Sequence, residues 1–157
     1  MGAGRKGKEL GITFVIPGPP KGKARARTFY NPKLKRMQSI TPDGTVLYEN
    51  LIKTNYTEVA EYEDFKGYFD KEPLTMAVTA VYEIPKSTSK KKVKLMQEGL
   101  ERPCKKPDID NIAKVVCDAL NKVAYGDDTQ ICDMILRKRY TREGENPHVI
   151  VTVSNIE

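Results

Sequence analysis

The sequence has few of the residues on which disulfide and soft-metal chemistry depends. It contains one histidine and three cysteines, and Cys104, Cys117 and Cys132 are far apart and form no Cys-x-x-Cys pair. A disulfide scaffold and a zinc finger are therefore poor interpretations, and a zinc enzyme is not expected. The same cysteine usage favours a reducing, cytoplasmic compartment.

Long apolar runs are also missing. No run approaches the roughly 18 residues that a membrane-spanning helix needs, so we expect no contact with a membrane. The first eleven residues are charged and lack the apolar stretch of a signal peptide, so we expect residues 1–11 to be a mobile basic tail. The length of 157 residues predicts one domain over 1–157 with its own core.

Charge is plentiful and is arranged in blocks, with a net charge of +6. Residues 1–40 carry ten Lys or Arg against one acid, and residues 86–106 carry eight against two. Acids outnumber bases over 41–85 and 107–136. Basic blocks indicate a polyanionic partner, which the acidic blocks would repel unless divalent cations lie among them. Simple charge mixing on a solvated surface is the alternative.

Hydrophobic periodicity predicts both strands and helices. Alternating or β-branched runs predict strands at 12–16, 74–84, 131–140 and 148–153. A polar turn is expected to join the last two strands as a hairpin. Apolar residues three and four apart predict helices over 41–63 and 109–123. The lysine-rich residues 86–94 show no apolar pattern and are expected to form an exposed connector.

Carboxylates stand at both ends of the second predicted helix. Asp108 and Asp110 lie at its start, and Asp127 and Asp128 follow its end. A helix of about fourteen residues is about 21 Å long, so these acids share a metal only through a curled turn, a shorter helix or a partner subunit. Oxygen donors without His or Cys suit Mg²⁺ or Mn²⁺, and with Lys114 nearby they indicate metal-assisted phosphodiester hydrolysis.

The acids also have plainer explanations. Asp108 or Asp110 can cap the helix, and Asp127 and Asp128 can form the turn after it. Asp118 is expected on the solvent face. These explanations leave open why the acids directly follow a strongly basic block.

Three segments give the chain a family resemblance. They read FVIPGPPKGKARAR, IPKSTSKKK and KPDIDNIAKVVCDALNKVAYGDDTQI. Together they resemble the RusA-type crossover junction endodeoxyribonucleases, which resolve Holliday junctions in bacteria and their phages. The resemblance covers most of the chain. One departure is Lys122, which stands where family members often have a loop glycine.

The resemblance implies an α/β (α+β) fold, in which a small mixed sheet packs with helices, and a homodimer. It also implies a Mg²⁺-dependent enzyme, with Mn²⁺ as the alternative ion, that nicks two opposed strands of a four-way DNA junction. The essential acids fall on Asp108, Asp110 and Asp128, with Asp127 as a weaker metal ligand, and the essential lysine is Lys114. A non-catalytic binder of branched DNA and a nuclease for other branched DNA are the alternatives.

Physical roles follow from these assignments. The acids hold one or two divalent ions, and Lys114, free to lie beside Asp110, stabilises charge in the transition state or orients the water. Basic side chains hold DNA backbones by phosphate contacts, which position the DNA without reading its sequence. The residues expected to do so are Lys21, Lys23, Arg25, Arg27, Lys90, Lys91, Lys92, Arg137 and Arg139.

Overall fold

The computed structural model describes residues 10–63 and 69–156, so most of the expected mobile tail lies outside the described residues. The elements are β1 (Gly11–Pro17), β2 (Arg27–Asn31), β3 (Arg36–Ile40), α1 (Asp43–Tyr62), β4 (Leu74–Tyr82), α2 (Lys90–Gln97), α3 (Ile109–Leu120), β5 (Ile131–Tyr140) and β6 (His148–Asn155). One turn of 3₁₀ helix, Asp128–Gln130, precedes β5. Within the described ranges, no helix has both the length and the apolar character that crossing a bilayer requires.

Four strands form the main sheet, in the order β1-β6-β4-β5. β6 runs antiparallel to both of its neighbours, whereas β4 and β5 are parallel. A parallel pair needs a long crossover, and the connection from β4 to β5 contains α2 and α3. This mixed sheet with helices confirms the fold class implied by the resemblance.

The core lies between one face of this sheet and the helices α1 and α3. Alternate residues of β1 and β4 point into it, and the apolar stripe of α3 meets them. Phe14 of β1 meets Tyr56 of α1 edge to face, with ring centroids 5.5 Å apart. The strands predicted at 12–16 and 74–84 and both predicted helices are therefore confirmed, with ends shifted by up to three residues.

The predicted connector over 86–94 is wrong, because α2 begins within it. Ser89 starts the helix by accepting a hydrogen bond from the Lys92 backbone N–H at 3.4 Å. This cap compensates for lysines in the first turn, where the positive end of the helix dipole disfavours cations.

The predicted β5–β6 hairpin is also wrong, because β4 lies between the two strands. The connection over 141–147 crosses the end of β4, where the Thr141 N–H donates to the Tyr82 carbonyl at 2.9 Å. Two strand spacings amount to about 9.6 Å, which a loop of this length spans.

A second sheet, which the sequence patterns did not indicate, consists of β2 and β3 alone. Asn31 and Arg36 face each other where the hairpin turns. The Asn31 side-chain oxygen accepts hydrogen bonds from the N–H groups of Lys33 and Leu34 at 3.0 and 3.3 Å. Lys35 completes the turn with a φ of 50°. Most residues of both strands are exposed.

Candidate active site

The polar face of α3 carries several of the candidate residues. Because successive helical residues turn by about 100°, Asp110, Asn111, Lys114 and Asp118 fall on one face. The opposite face packs in the core through Ile112, Val115, Val116, Ala119 and Leu120. This packing fixes the rotation of α3 and so fixes the direction in which the polar face points.

The basic segment after β1 lies against this polar face. Gly22 permits the close approach, since a Cβ there would come within 2.8 Å of the Asn111 Cβ. The Lys23 N–H donates to the Asn111 carbonyl at 3.1 Å. The Lys23 amine lies 2.6 Å from Glu49 of α1 and 3.2 Å from Asp118 of α3. Burial would lower the pKa of Lys23, but hydrogen bonds and charges from these two carboxylates outweigh it and raise that pKa.

Lys114 pairs with Asp118, one turn later, and not with Asp110 as expected. Its Nζ lies 3.7 Å from the Asp118 Oδ2, and its side chain is 63% exposed. Asp118 therefore joins Lys114 at the surface to Lys23 beneath it, and it is not an unpaired residue of the solvent face. Sequence reasoning missed this role, although the spacing of four from Lys114 indicated a shared face.

A capping box holds the acidic turn before β5. The Asp127 Oδ1 accepts from the Thr129 N–H at 3.4 Å. The Gln130 Oε1 accepts from the N–H groups of Gly126 and Asp127 at 2.9 and 3.1 Å. The Gln130 amide also donates to the Phe69 carbonyl at 3.2 Å, which anchors the turn. Asp127 thus has a structural role, and its role as a metal ligand stays a prediction.

The neighbouring carboxyl groups of Asp127 and Asp128 influence each other. Their interaction raises the pKa of Asp128 above its ordinary value and lowers the pKa of Asp127. The negative charge of Asp118 further raises the pKa of Asp128, and the positive charge of Lys114 opposes it. The acids that follow α3 therefore interact with the C-terminal half of that helix.

Asp108 and Asp110 lie at the other end of α3. Asp108 directly precedes the helix, but among the described residues its side chain makes no capping hydrogen bond, so capping does not explain it. Asp108 instead lines a cleft of about 630 Å³ beside the basic segment. The cleft residues are Lys21, Gly22, Lys23, Ala24, Arg25, Lys106, Pro107, Asp108 and Asn111.

The acids do not form one compact metal site within a single chain. Across residues 10–63 and 69–156, no three His, Cys, Asp or Glu side chains lie close enough together to hold a metal ion. The donor chemistry nevertheless fits Mg²⁺, which proteins often hold by one or two carboxylates while water and substrate phosphates complete its shell. That Asp108, Asp110 and Asp128 act as one ligand set stays a prediction.

The cations expected to hold DNA differ in their surroundings. Lys23 is engaged by two carboxylates, and the Arg139 guanidinium pairs with both oxygens of Glu145 at 2.8 and 3.1 Å. The hydrogen bonds from Arg139 lower the pKa of Glu145 to about 2. The others are exposed, namely Lys21, Arg25, Arg27, Lys90, Lys91, Lys92 and Arg137. Phosphate contacts by all nine stay predictions.

Comparison with known proteins agrees with this arrangement. The family model of the endodeoxyribonuclease RusA matches residues 17–154, which include α3 and the acidic turn. The uncharacterized protein YqaN of Bacillus subtilis (strain 168) is 42% identical over 86 residues, which are 54% of this chain. The matched region spans 58% of YqaN. Because the family model covers most of the chain, this protein belongs to the RusA endodeoxyribonuclease family.

Proposed function

We propose that this protein is a homodimeric, Mg²⁺-dependent Holliday junction resolvase that nicks two opposed strands of a four-way DNA junction. The observation that carries the proposal is the family match over residues 17–154, which contains every candidate catalytic residue. The alternation of acidic and basic segments along the chain supports it, since a pure DNA binder gains nothing from carboxylates placed beside phosphate.

The metal ligands in this proposal are carboxylates at the two ends of α3. Asp108, Asp110 and Asp128 would hold Mg²⁺, with Asp127 as a further donor. A bound divalent ion supplies polarisation of phosphate oxygens and a water of lowered pKa. The raised pKa of Asp128 beside Asp127 supports the assignment, because two neighbouring carboxylates repel each other and a divalent cation would relieve that repulsion.

Lys114 is the group that stabilises negative charge on the scissile phosphate. Its amine is exposed, so it can donate to a phosphate oxygen as charge develops there. Asp118 holds the amine on one side of the helix, and Lys23 holds Asp118 in turn. Asp118 is thus a positioning residue for Lys114. Lys23, whose own contact with the DNA backbone is a separate prediction, acts on the scissile phosphate only through Asp118 and Lys114.

DNA backbones are held by the exposed cations. Lys90, Lys91 and Lys92 stand in the first turn of α2, where they oppose the helix dipole and so weaken the isolated helix. A bound phosphate would offset that cost. Arg25 lines the cleft that also contains Asp108, so backbone contacts there would bring DNA to the acidic end of α3.

The open edge of the main sheet supports the homodimer. β5 is an outer strand, and its C-terminal half is covered where Arg102 Nε donates to the Lys138 carbonyl at 2.9 Å. Toward the other end, Met134 and Ile135 are exposed. An exposed apolar edge strand invites pairing with another strand, and two copies related by a two-fold axis would pair β5 with β5.

Cleavage of a synthetic four-way junction tests the activity. With each strand labelled in turn, we expect nicks in two opposed strands with Mg²⁺ and none with EDTA. A supercoiled plasmid with an extruded cruciform should give linear product if the two nicks are paired, and nicked circles if they are not. Asp110→Asn should abolish cleavage and leave binding intact. Binding without cleavage in Mg²⁺ would indicate the structural binder, and equal cleavage of flaps would indicate a broader nuclease.

Sedimentation tests the homodimer. We expect Ile135→Lys to convert a dimer to a monomer, because a charge would be buried at the β5 edge. Val15→Lys is the matched control, since Val15 is equally exposed on β1, the opposite edge strand. A dimer that survives Ile135→Lys would exclude the β5 edge as the interface.

A further inference from the structure

The β2–β3 hairpin carries an exposed apolar surface that the proposed catalytic site does not use. Its strands form no part of the main sheet. Tyr30 and Met37 are 57% and 61% exposed. The exposed apolar residues of the hairpin are Phe29, Tyr30, Leu34, Met37 and Ile40. Large apolar side chains exposed together in this way indicate an interaction site rather than a core.

Charge identifies the class of partner. Residues 24–42 contain five cations and no acid. The cations are Arg25, Arg27, Lys33, Lys35 and Arg36. Protein interfaces are depleted of lysine at their centres, whereas aromatic residues among cations are typical of surfaces that stack on nucleic acid bases. The hairpin therefore suits a polyanion that also presents flat apolar rings.

The pairing register separates the two faces of the hairpin. Tyr30 lies opposite Met37, and the two share a face. Phe29 and Ile40 belong to the other face, which borders an open cleft of about 360 Å³ at the start of α1. The Tyr30–Met37 face is consequently the one that is turned away from the body of the protein.

Both ends of the hairpin are anchored beside the candidate active site. Before β2, the Ala24 N–H donates to the Thr45 hydroxyl at 3.2 Å, and Lys23 binds Asp118 of α3. After β3, the chain enters α1 directly. The hairpin is therefore attached at both ends close to the polar face of α3.

We propose that the Tyr30–Met37 face packs against unpaired bases at the branch point of the DNA, while the cations at the turn of the hairpin contact the flanking phosphates. The proposal rests on the proposed function for the identity of the substrate. An isolated two-stranded hairpin is only marginally stable, so contact with DNA would also order it. The hairpin would thus hold the junction open beside Lys114.

Fluorescence of 2-aminopurine placed at the branch point tests this inference, with the protein in EDTA so that no strand is cut. We expect the wild type to change the fluorescence severalfold. The double variant Tyr30→Ala/Met37→Ala should lose the change and bind the junction about tenfold or more weakly. Tyr62→Ala is the matched control, because Tyr62 is an exposed tyrosine outside the hairpin, and it should behave as wild type.

A charge variant separates stacking from phosphate contact. Lys33→Ala/Lys35→Ala/Arg36→Ala should reduce the slope of log affinity against log salt by about 2 to 3, and Tyr30→Ala/Met37→Ala should leave that slope unchanged. A single-stranded 2-aminopurine probe measures stacking independently of junctions. Loss of the signal in the double variant on that probe would support the inference even if no junction is cleaved and the proposed function fails.

Two results would overturn the inference. One is a wild-type protein that binds and cleaves junctions with no change in 2-aminopurine fluorescence on either probe, which would leave the proposed function standing. The other is a decrease in the oligomeric mass measured by sedimentation in Tyr30→Ala/Met37→Ala. That result would show that the Tyr30–Met37 face is an interface between two copies of this chain.

Discussion

The body of the protein, formed by the main sheet with α1 and α3, differs from the β2–β3 hairpin in the surroundings of its apolar and charged side chains. In the body, apolar side chains are buried, and Lys23 and Lys114 are paired with Asp118 of α3. In the hairpin, Tyr30, Met37 and their neighbours are exposed, and no acid lies nearby in the sequence. The body is thus suited to hold chemical groups in fixed positions, and the hairpin is suited to be covered by a substrate.

This contrast has an energetic basis. Burial of apolar surface stabilises the body by about 25 cal/mol per Å², whereas the exposed hairpin buries little apolar surface and gains little stability. Catalytic groups need positions held within fractions of an ångström, which a packed helix such as α3 provides. The role that we propose for the hairpin, contact with an irregular DNA branch point, has no such need.

A matched pair of leucines gives the largest expected effect. Leu120 is fully buried on α3 and Leu34 is exposed at the turn of the hairpin. Leu120→Ala should lower the free energy of unfolding by about 2–5 kcal/mol, because it leaves a cavity in the core. Leu34→Ala should change it by less than about 0.5 kcal/mol. Urea unfolding measures both, and a comparable loss in the two variants would show that the hairpin belongs to the core.

A matched pair of lysines separates chemistry from binding. Lys114→Ala should reduce the rate of single-turnover cleavage of a saturated junction about 10²–10³-fold, by analogy with removal of one oxyanion donor. Junction affinity should change little. Lys33→Ala should do the reverse, with weaker binding and an unchanged rate at saturation. If the cleavage rate of Lys114→Ala is within about threefold of wild type, Lys114 forms only a surface ion pair and has no catalytic role.

Asp118 supplies an internal check on the lysine result. If it acts by positioning Lys114, Asp118→Asn should lower the cleavage rate at saturation but leave junction affinity unchanged. The loss of rate should add little to that of Lys114→Ala. Additive losses would show that Asp118 acts independently of Lys114.

The body of the protein was the part that local sequence patterns predicted well. The stripe of α3 and the alternation of β4 depend on burial against one partner face, and each pattern appears directly in the sequence. The placement of β5 beside β4 was not predictable in this way, because parallel pairing joins residues far apart in the chain and leaves no local pattern. A short polar turn before β6 therefore suggested a hairpin that does not exist.

The hairpin and α2 were missed for a related reason. Neither β2 nor β3 buries a face, so no apolar alternation marks them. The start of α2 was not predicted because its first turn consists of Lys90 and its neighbouring lysines, and cations are unfavourable in the first turn of a helix. At the candidate site, motif and spacing indicated Asp110 and Lys114, but the bridging contacts of Asp118 depend on Lys23 arriving from a distant segment. Elements that bury few side chains are the ones that sequence patterns alone describe least.

A titratable ion pair in the body gives a smaller, pH-dependent effect. The pKa of Glu145 is about 2 in the folded protein because Arg139 binds it, against about 4.3 in an unfolded chain. A lowered folded pKa adds stability above the unfolded value, and that stability is lost as pH falls toward 2. Glu145→Gln should therefore be less stable than wild type at pH 7, by about 0.5–1 kcal/mol, and the difference should vanish near pH 2.

The control for this pair comes from the hairpin. Arg36→Gln removes a cation that has no acid near it in the sequence, so its effect on stability should not depend on pH. Urea unfolding at pH 7, 4 and 2 measures all three proteins. A constant difference between Glu145→Gln and wild type across this range would mean that the lost contact is not electrostatic.

Among the described residues, three lysines have a positive φ, and a comparison of two of them gives the smallest expected effect. Lys122, after α3, has a φ of 65° and Lys35, in the hairpin turn, has a φ of 50°. Glycine adopts such angles without strain but loses more backbone entropy on folding. Lys122→Gly should therefore stabilise the protein by about 0.5–1 kcal/mol and raise Tm by a few degrees. Lys35→Gly should leave Tm unchanged, because strain in the hairpin turn does not contribute to the cooperative unfolding of the body. A rise in Tm for both variants would show that the hairpin and the body unfold as one unit.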